Sequence, residues 1–564
     1  MVRQLVLALW LAADCALGAR AAPSAVRYDI RPVLRAGALS ALAVEMRFAG
    51  DASGRTRLLL PKQGAARDGA RPDLEDVEVE GAAVANVDGA VETLAGAPGA
   101  AIVVRYRIVS GYDSVPGDQP LRALLLADWF AVHGERAFIR PQGRDAAAVS
   151  VRFDGLPEGW IAASDLGHGA GATVGDLDER YFIGGAGWRE IGRPVGAARL
   201  RLYDRADAAP KAVEAGADLA ARIAAAEFDY WGDRPWDIFT PVIPLKDNTG
   251  GRGMMHGFIF FAGPGDDLST FKHDLAHEME HAWTSRQIGG FPAVDPDLEA
   301  WLNEGFTELT ADRILLRAGL WTLTDYVAGL NASLLSYGTS PVREAPNSRI
   351  QADRFSDLDV GRLPYDRGRL LGLIWDRQLR AATGGRVGLQ DVLQVQRRLA
   401  LAERAAGRAT SADRLFPIAV LQASGLDLRP DIAKYVDDGG LVTFPSGLLR
   451  PCGVFETVSQ PVFDRGFDIW ATLRNGRRLT GLEPGGPADR AGLREGEVIG
   501  MDEVPSNDSQ KPLTYWVTGA DGVRRAITFK PEGKGVVSFQ QFRLDPGLDP
   551  AAQAHCAAIF SGAA

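Results

Sequence analysis

The chain has 564 residues and a formal net charge of −10. This acidic balance argues against nucleic acid and anionic membrane surfaces as partners. The length predicts about three domains, and no segment beyond the N-terminus is apolar enough to predict stable membrane insertion.

The first 21 residues have the features of a secretory signal peptide. A basic residue, Arg3, precedes an apolar run and an Ala-Arg-Ala ending, so cleavage is predicted after Ala21. The mature protein is therefore expected to be exported, either to a periplasm or to the medium. Cys452 and Cys556 remain after cleavage. In an oxidising compartment they either form a disulfide or stay as thiols, and both alternatives remain open.

Residues 22–205 contain short apolar runs that alternate with polar residues and are separated by Gly, Pro and Asp. Examples are AVRYDIRPVL, AVEMRF, AIVVRYRIV and ARLRLY. Alternation with period two is typical of half-buried strands. We therefore expect an antiparallel β-sandwich-like domain over 22–205, without a residue pattern that indicates a site.

The pattern changes near residue 208, where KAVEAGADLAARIAAAEFDYWG has helical spacing. PWDIFTPVIPL and MHGFIFFAG then predict two strands. Further helices are predicted near 324–336, 364–382, 389–405, 411–423 and 430–437, with a long polar loop over 338–362. These segments define a second, mainly helical domain over 206–445.

The sequence HDLAHEMEHAW, residues 273–283, contains His277, Glu278 and His281 in the order HExxH. Residues four apart lie on one face of a helix, so both imidazoles can reach one metal ion. Glu278 lies where a carboxylate can take a proton from the attacking water. Without further ligands, the same residues would describe a polar helix with a surface histidine pair.

A hydrolytic zinc site needs a third protein ligand and one open position. The sequence WLNEGFTEL, residues 301–309, offers Glu304, and Glu308 follows one turn later. If this segment runs antiparallel to the first helix, Glu304 returns to the histidine pair and completes a site for one zinc ion. Glu308 can then accept the second N–H of a ligand histidine and fix its tautomer.

The connection between the two helices is also predicted. The first helix is expected to end at Gly289-Gly290. The second is expected to begin with Asp295 as N-cap and Pro296 at the first helical position.

HEMEHAW followed by WLNEGFTEL resembles the gluzincin metallopeptidases, whose pattern is HExxHxW and then a Glu within NEG or SEG. Two families compete, the aminopeptidase N family and the glycyl aminopeptidase family of PDZ-containing zinc peptidases. ADRILLRAGLWTLTDYV (311–327) and LPYDRGRLLGLIWDRQLRAATGG (363–385) are similar to the second. The resemblance covers residues 230–400 and the C-terminal domain, and it favours the glycyl aminopeptidase family.

This resemblance implies a thermolysin-like catalytic domain over 206–445 that hydrolyses peptide bonds with one zinc ion. It implies ligand roles for His277, His281 and Glu304, and a general-base role for Glu278. It also implies that Tyr365, in YDRG, hydrogen-bonds the developing oxyanion. Because the family is common in bacterial envelopes, the resemblance favours the periplasm.

The family carries a Gly-Gly-Leu-Glu-His element on an edge strand beside the zinc. The matching residues are Arg252, Gly253, Met254, Met255 and His256, so the resemblance implies that the last four contact substrate. Met255 replaces the Glu that binds a free amino terminus in related aminopeptidases, and a thioether has no charge to pair with an ammonium. Three functions remain open: an aminopeptidase, an endopeptidase of the same fold, and a non-catalytic peptide-binding adaptor.

The last segment, residues 446–564, includes RLTGLEPGGPADRAGLREGEVIGMDE (478–503), which resembles a PDZ domain. In this resemblance PADRAGL begins a short helix and GEVI enters a strand. Gly466 and Phe467 match the carboxylate-binding loop. Such a groove takes a C-terminal peptide as an added strand, and the alternative is a packed domain whose groove is blocked or unused.

Overall fold

We describe a computed structural model that covers residues 25–61, 73–88, 91–114, 122–166, 171–245, 249–290, 293–501, 507–518 and 523–563. The predicted signal peptide, residues 1–21, lies outside these ranges. The described chain has a β-rich N-terminal part, a mainly helical middle part and a smaller C-terminal part. The prediction of a multidomain α+β fold is therefore confirmed.

In its described residues, the N-terminal part is built from strands, one short α-helix, α1 (Gly134–Ala137), and one 3-10 helix over Val174–Glu179. The strands are β1 (Val26–Arg35), β2 (Ala38–Ala49), β3 (Arg55–Leu59), β4 (Leu74–Glu80), β5 (Ala83–Asp88), β6 (Val91–Ala95), β7 (Ala101–Ile108), β8 (Leu124–Leu125), β9 (Trp129–His133), β10 (Arg140–Pro141), β11 (Val149–Phe153), β12 (Ile161–Ser164) and β13 (Tyr181–Gly185). They form sheets in the orders β11-β1-β2-β7-β4, β10-β3-β6-β5 and β12-β13-β9-β8.

Alternation along these strands matches burial. In β7 the residues Ile102, Val104, Tyr106 and Ile108 are buried, as a period-two pattern requires. The described strand pairs of these sheets are antiparallel except β1 with β11, which is parallel. The prediction of an antiparallel domain was wrong at that pair, because β11 returns from far along the chain and local alternation carries no information on strand direction.

A mixed sheet connects the β-rich part to the helical part. Its order is β14-β15-β16-β18-β17. The strands are β14 (Trp188–Val195), β15 (Ala198–Arg205), β16 (Ile238–Ile243), β17 (Gly250–Met254) and β18 (Gly257–Phe261). The helix α2 (Val213–Trp231) is the crossover that the parallel neighbours β15 and β16 need. The predicted domain boundary after residue 205 therefore separates β14 and β15 from the other three strands of the same sheet.

The middle part contains the remaining helices of the core. They are α3 (Lys272–Glu280), α4 (Ala300–Asn303), α5 (Gly305–Arg317), α6 (Leu323–Thr339), α7 (Asn347–Asp353), α8 (Leu358–Thr383), α9 (Leu389–Ala405), α10 (Ala412–Ser424) and α11 (Arg429–Ile432), which continues as a wider turn over Ala433–Asp437. The helices predicted after residue 323 all occur. The predicted loop over 338–362 was wrong, because it contains α7 and the start of α8.

The cap of α8 explains that error. The Asp357 carboxylate accepts hydrogen bonds from the backbone N–H groups of Asp359 and Val360, which starts the helix inside the polar segment.

The ends of the two metal-side helices also differ from prediction. α3 ends at Glu280, and the turns that follow mix hydrogen bonds over three residues, as from Ala282 to Met279, with hydrogen bonds over four residues, as from Thr284 to Glu280. The second helix begins at Ala300 rather than after Asp295. The Asp295 carboxylate accepts from the N–H of Leu298 and so caps only an isolated turn.

A cluster of buried indole rings holds this region together. Trp283, from HEMEHAW, stacks on Trp231 of α2 with ring centroids 6.2 Å apart and planes 3° from parallel. Its indole N–H donates to Asp233, at 2.6 Å. The aromatic residue that follows the HExxH motif therefore fixes the end of α3 against α2.

The C-terminal part contains β19 (Gly453–Phe463), α12 (Ile469–Arg474), α13 (Pro487–Ala491), β20 (Val498–Met501), β21 (Leu513–Thr518), β22 (Arg524–Phe529), β23 (Glu532–Leu544) and α14 (Pro550–Phe560). β19 pairs with β23, and β20, β21 and β22 form a second sheet.

A disulfide closes the C-terminal part, and hydrogen bonds attach this part to the helical core. A disulfide joins Cys452 to Cys556 of α14, which decides between the two alternatives left by the sequence. The Asn331 side chain of α6 donates to the carbonyl of Phe542 at 2.9 Å and accepts from its N–H at 2.7 Å.

No helix in the described ranges is long and apolar enough to span a bilayer.

Candidate metal centre

Two histidines of α3 lie close together beside the mixed sheet. The Nε2 atoms of His277 and His281 are 3.1 Å apart, and both side chains are largely buried. The apolar face of α3, with Leu275, Ala276 and Met279, packs into the core and turns the histidines away from it. His281 is also held through Nδ1, which lies 2.6 Å from the Ser285 hydroxyl.

Glu304 lies between α4 and α5 and faces the histidine pair. Its Oε2 atom is 3.5 Å from Nε2 of His277 and 3.5 Å from Nε2 of His281. The next residue, Gly305, allows this approach, because a Cβ there would lie 2.6 Å from the Gly368 carbonyl carbon. The glycines of NEG and YDRG therefore let α5 and α8 pack backbone to backbone.

The three side chains fit a zinc ion. Ligand atoms about 2.1 Å from a tetrahedral zinc lie about 3.4 Å from one another, and the observed separations are 3.1 and 3.5 Å. Glu304 Oε2 is buried, and within the described part of the chain nothing donates a hydrogen bond to it. A buried carboxylate oxygen aimed at two imidazole nitrogens is the arrangement expected of a ligand set.

The electrostatics of the cluster support this interpretation. Burial by itself lowers the pKa of His277, but the carboxylates of Glu304, Glu308 and Glu278 raise it to about 9. Burial by itself raises the pKa of Glu304, but the two imidazoles hold that pKa well below its usual range. Glu304 is therefore an ionised carboxylate, as a metal ligand must be.

Glu278 and Tyr365 flank the same cluster. Burial raises the pKa of Glu278, and the neighbouring imidazoles oppose this effect. The Tyr365 ring stacks on His277 with centroids 5.9 Å apart. Burial and the charge of Glu304 raise the pKa of Tyr365, so its phenol keeps its proton and can donate a hydrogen bond. The structure thus places a proton acceptor and a proton donor beside the three ligand candidates.

Glu308 lies behind His277. Its Oε1 atom is 3.5 Å from His277 Nδ1, and Oε2 is 3.5 Å from His273 Nε2. Burial by itself raises the pKa of Glu308, but His273, Arg362, His277 and Arg369 lower it to about 2. Glu308 is therefore charged and faces the outer nitrogen of a ligand candidate, where the sequence analysis expects it.

The strand β17 lies at the edge of the mixed sheet, directly beside α3. A Cβ on Gly251 would lie 2.8 Å from Glu278 Cδ, and a Cβ on Gly253 would lie 2.8 Å from the Glu278 carbonyl oxygen. Only glycine at these two positions lets the strand approach the helix so closely. The edge strand and the metal cluster therefore form one site.

The turn after β17 carries Met255 and His256. His256 Nδ1 lies 2.9 Å from a guanidinium nitrogen of Arg180. Burial and then the charge of Arg180 lower the pKa of His256 to about 4, so the imidazole is neutral. Arg180 itself pairs with buried Asp165 at 3.3 Å.

A second arginine lies at this end of the site. Arg286 donates to the Gly253 carbonyl at 2.6 Å and pairs with Glu179 at 3.0 Å. The sequence motifs do not indicate Arg180 or Arg286 as site residues, because Arg180 lies in the N-terminal part and Arg286 in an irregular turn. No local pattern could indicate that either residue meets β17.

Gly466 and Phe467 lie in the C-terminal part. Gly466 has a φ of +78°, and a Cβ there would lie 3.0 Å from Pro487 of α13. The Phe467 ring packs on Tyr515 with centroids 5.5 Å apart. The residues that follow form α12 rather than a strand.

Comparisons with known proteins gave a match to one family model and matches to solved structures. Residues 270–352 match the family model of the M61 glycyl aminopeptidases, which confirms the resemblance found in the sequence. No significant match was found among curated protein sequences.

Two solved structures are similar to this chain. An aminopeptidase N family protein from Idiomarina loihiensis is 14% identical, with a TM-score of 0.65 over 94% of this chain and 100% of that chain. An M1 zinc metallopeptidase from Deinococcus radiodurans is 16% identical, with a TM-score of 0.49 over 75% of this chain and 95% of that chain. At 14% identity, the first likeness concerns the fold alone.

Proposed function

We propose that this chain, which its residues 270–352 place with the M61 glycyl aminopeptidases, is a zinc-dependent metallopeptidase with a thermolysin-like catalytic domain. One observation carries the proposal: His277, His281 and Glu304 aim three buried ligand atoms at one point. Glu278 and Tyr365 lie beside that point. The substrate class is peptide, and the cofactor is a single zinc ion.

A zinc ion held here would polarise the peptide carbonyl and acidify the attacking water. The Glu278 carboxylate takes the proton of that water and then delivers it to the leaving amine. Its raised pKa suits both roles, because a carboxyl with a higher pKa holds the proton more readily between the two steps. The Tyr365 phenol donates a hydrogen bond to the oxygen on which negative charge develops.

The edge strand β17 docks the substrate backbone as an added strand. Gly251 and Gly253 have no side chains between this strand and α3, so a peptide paired with β17 lies against Glu278 and His281. Met255 and His256 then border the end of that peptide. The predicted substrate contact of Met254 was wrong, because its side chain is 1% exposed and packs into a hydrophobic core. This arrangement gives the backbone, rather than a side chain, the main part in substrate alignment.

We also propose that hydrolysis does not require a free amino terminus, which favours the endopeptidase alternative. Near the turn after β17, Met255 and His256 are uncharged, and the two cationic residues are Arg180 and Arg286. The acidic residues that contact these arginines, Asp165 and Glu179, are paired with them. Asp176, whose charge also acts on His256, accepts hydrogen bonds from the N–H and the hydroxyl of Thr173. A substrate ammonium would therefore meet neutral groups, positive groups, or carboxylates that already have partners.

The experiment that tests both proposals is a digest of a defined peptide library by the zinc-loaded protein. Half of the peptides carry free amino termini and half are acetylated, and mass spectrometry locates the cleavage sites. We expect cleavage of both halves at similar rates. Cleavage confined to free amino termini would support the aminopeptidase alternative. If the protein retains no zinc after loading and cleaves neither half, the adaptor alternative would be supported.

Two further assignments are proposals. Export is supported by the disulfide between Cys452 and Cys556, because such bonds persist mainly in oxidising compartments. Residues 446–564 are proposed to be a PDZ-like domain with an added C-terminal helix, since PADRA forms α13 and the next strand begins at Val498. Because α12 replaces the strand that a peptide would pair with after Gly466, an unused groove is favoured over a peptide ligand.

A further inference from the structure

Arg354 lies in the turn between α7 and α8, just beyond the segment that matches the family model. Its side chain is 13% exposed and points toward the metal cluster. The turn is tightly built, because a Cβ on Gly361 of α8 would lie 2.7 Å from the Arg354 carbonyl oxygen. The backbone that carries this guanidinium is therefore closely confined.

Because of the Arg354 guanidinium, the two oxygens of the Glu304 carboxylate have different partners. Its Nη2 atom donates to Glu304 Oε1 at 2.8 Å. The other oxygen, Oε2, is left to face Nε2 of His277 and of His281, each at 3.5 Å. A charge-assisted hydrogen bond to one oxygen favours a single orientation of the carboxylate.

A second contact fixes the other side of the guanidinium. Nη1 lies 3.6 Å from Asp297 and 3.5 Å from the carbonyl oxygen of Pro296, both in the segment that leads into α4. Arg354 therefore reaches from the turn before α8 to the segment before α4. Glu304 follows α4 and Tyr365 lies in α8, so the contact joins the two elements that must meet at the metal.

We propose that Arg354 is a positioning residue of the site, which presents Glu304 to the metal through Oε2 alone. The inference rests on the proposed function, because it assigns Arg354 a task only if His277, His281 and Glu304 hold zinc. It predicts that loss of the guanidinium weakens zinc binding and slows the chemical step. It also predicts that KM changes less than kcat, because Arg354 acts through other residues.

The test compares the full chain with three variants: Arg354→Met, Arg354→Lys and Asp297→Asn. A matched control is Arg349→Met, on the preceding helix α7, where a 43% exposed arginine pairs only with Asp353 and Asp357 among the described residues. Zinc dissociation constants are measured by competition with a chromogenic chelator. The melting temperature of the metal-free protein is measured in parallel, and kcat and KM are taken with a peptide that the wild type cleaves.

We expect Arg354→Met to weaken zinc binding and lower kcat by about 10–100-fold, as for other groups that orient a ligand. Arg354→Lys should bind zinc more tightly than Arg354→Met but less tightly than the wild type, because an ammonium keeps the charge but not the planar set of N–H donors. Arg349→Met should bind zinc as the wild type does. Asp297→Asn should have a smaller effect than Arg354→Met, since the bond to Glu304 remains.

Equal zinc affinity and equal kcat in Arg354→Met and the wild type would overturn the inference. So would an Asp297→Asn variant that reproduces the whole loss, since Arg354 would then act only by anchoring the segment before α4. A wild type that fails to bind zinc at all would instead refute the proposed function. The metal-free melting temperatures of Arg354→Lys and the wild type should agree, which separates a positioning role from a folding defect.

Discussion

The two ends of the candidate site differ in charge. At the metal end, two histidines face ionised carboxylates, and Glu308 lies behind His277 with a pKa lowered to about 2. At the other end, the turn after β17 presents a thioether, a neutral imidazole and the guanidinium of Arg180. In the proposed enzyme, the metal end carries the catalytic groups, and the turn after β17 offers no carboxylate of its own to a substrate ammonium. Under this proposal, hydrolysis of the peptide bond does not depend on recognition of a free amino terminus.

Among the variants that test this contrast, the largest effect is expected where β17 meets α3. Gly253→Ala places a Cβ 2.8 Å from the Glu278 carbonyl oxygen and against His281, so strand or helix must move. We expect about 1–3 kcal/mol of destabilisation and a loss of activity of about 100-fold, because displaced catalytic groups slow the reaction strongly. Gly265→Ala is the control, since a Cβ there meets nothing within 4 Å. Thermal unfolding and peptide hydrolysis measure the two effects, and an unaffected Gly253→Ala variant would show that the close approach is unimportant.

The second effect concerns the carboxylate behind the metal end. Glu308→Gln removes the charge that faces His277 Nδ1 at 3.5 Å while keeping nearly the same shape. We expect zinc affinity to fall by about 10–100-fold, measured by chelator competition. Glu403→Gln, at a distant acidic residue paired with Arg408, should leave the affinity unchanged. If both variants bind zinc equally well, Glu308 does not support the ligand.

The smallest effect is expected at the substrate end. Met255→Glu restores a carboxylate where the resembled family has one, next to neutral His256. An exposed ion pair contributes up to about 1 kcal/mol, so the preference for free over acetylated peptides should rise by about fivefold. The measurement is the ratio of kcat/KM for one peptide in its free and acetylated forms, with Met255→Gln as the uncharged control. An unchanged ratio would mean that the substrate terminus does not lie near this turn.

The sequence predicts the local part of this arrangement well. His277, Glu278 and His281 lie on one helix, and Glu304 follows in a recognisable segment, so spacing alone indicates that they meet. The helix α7 and the start of α8 are less predictable, because the capping carboxylate of Asp357 stands in a polar stretch that resembles a loop.

Other features depend on contacts between distant segments. The parallel pairing of β1 with β11 joins strands far apart in the chain. Arg180 reaches His256 from the N-terminal part, and Arg354 reaches Glu304 across α4 and α8. Periodicity and spacing describe neighbours within one element, so they contain no information on which arginine will meet which carboxylate.

The most direct test of the account is the Glu278→Gln variant, measured for zinc content and for peptide hydrolysis on the same sample. The substituted amide would keep the shape of the side chain but could not take a proton from water. We predict one zinc ion per chain, as in the wild type, and a fall in kcat of about 10²–10⁴-fold. Asp274→Asn, an exposed change on the same helix, should keep both zinc and activity. A zinc-loaded Glu278→Gln variant with full activity would contradict the assignment of Glu278 as the general base and, with it, the proposed mechanism.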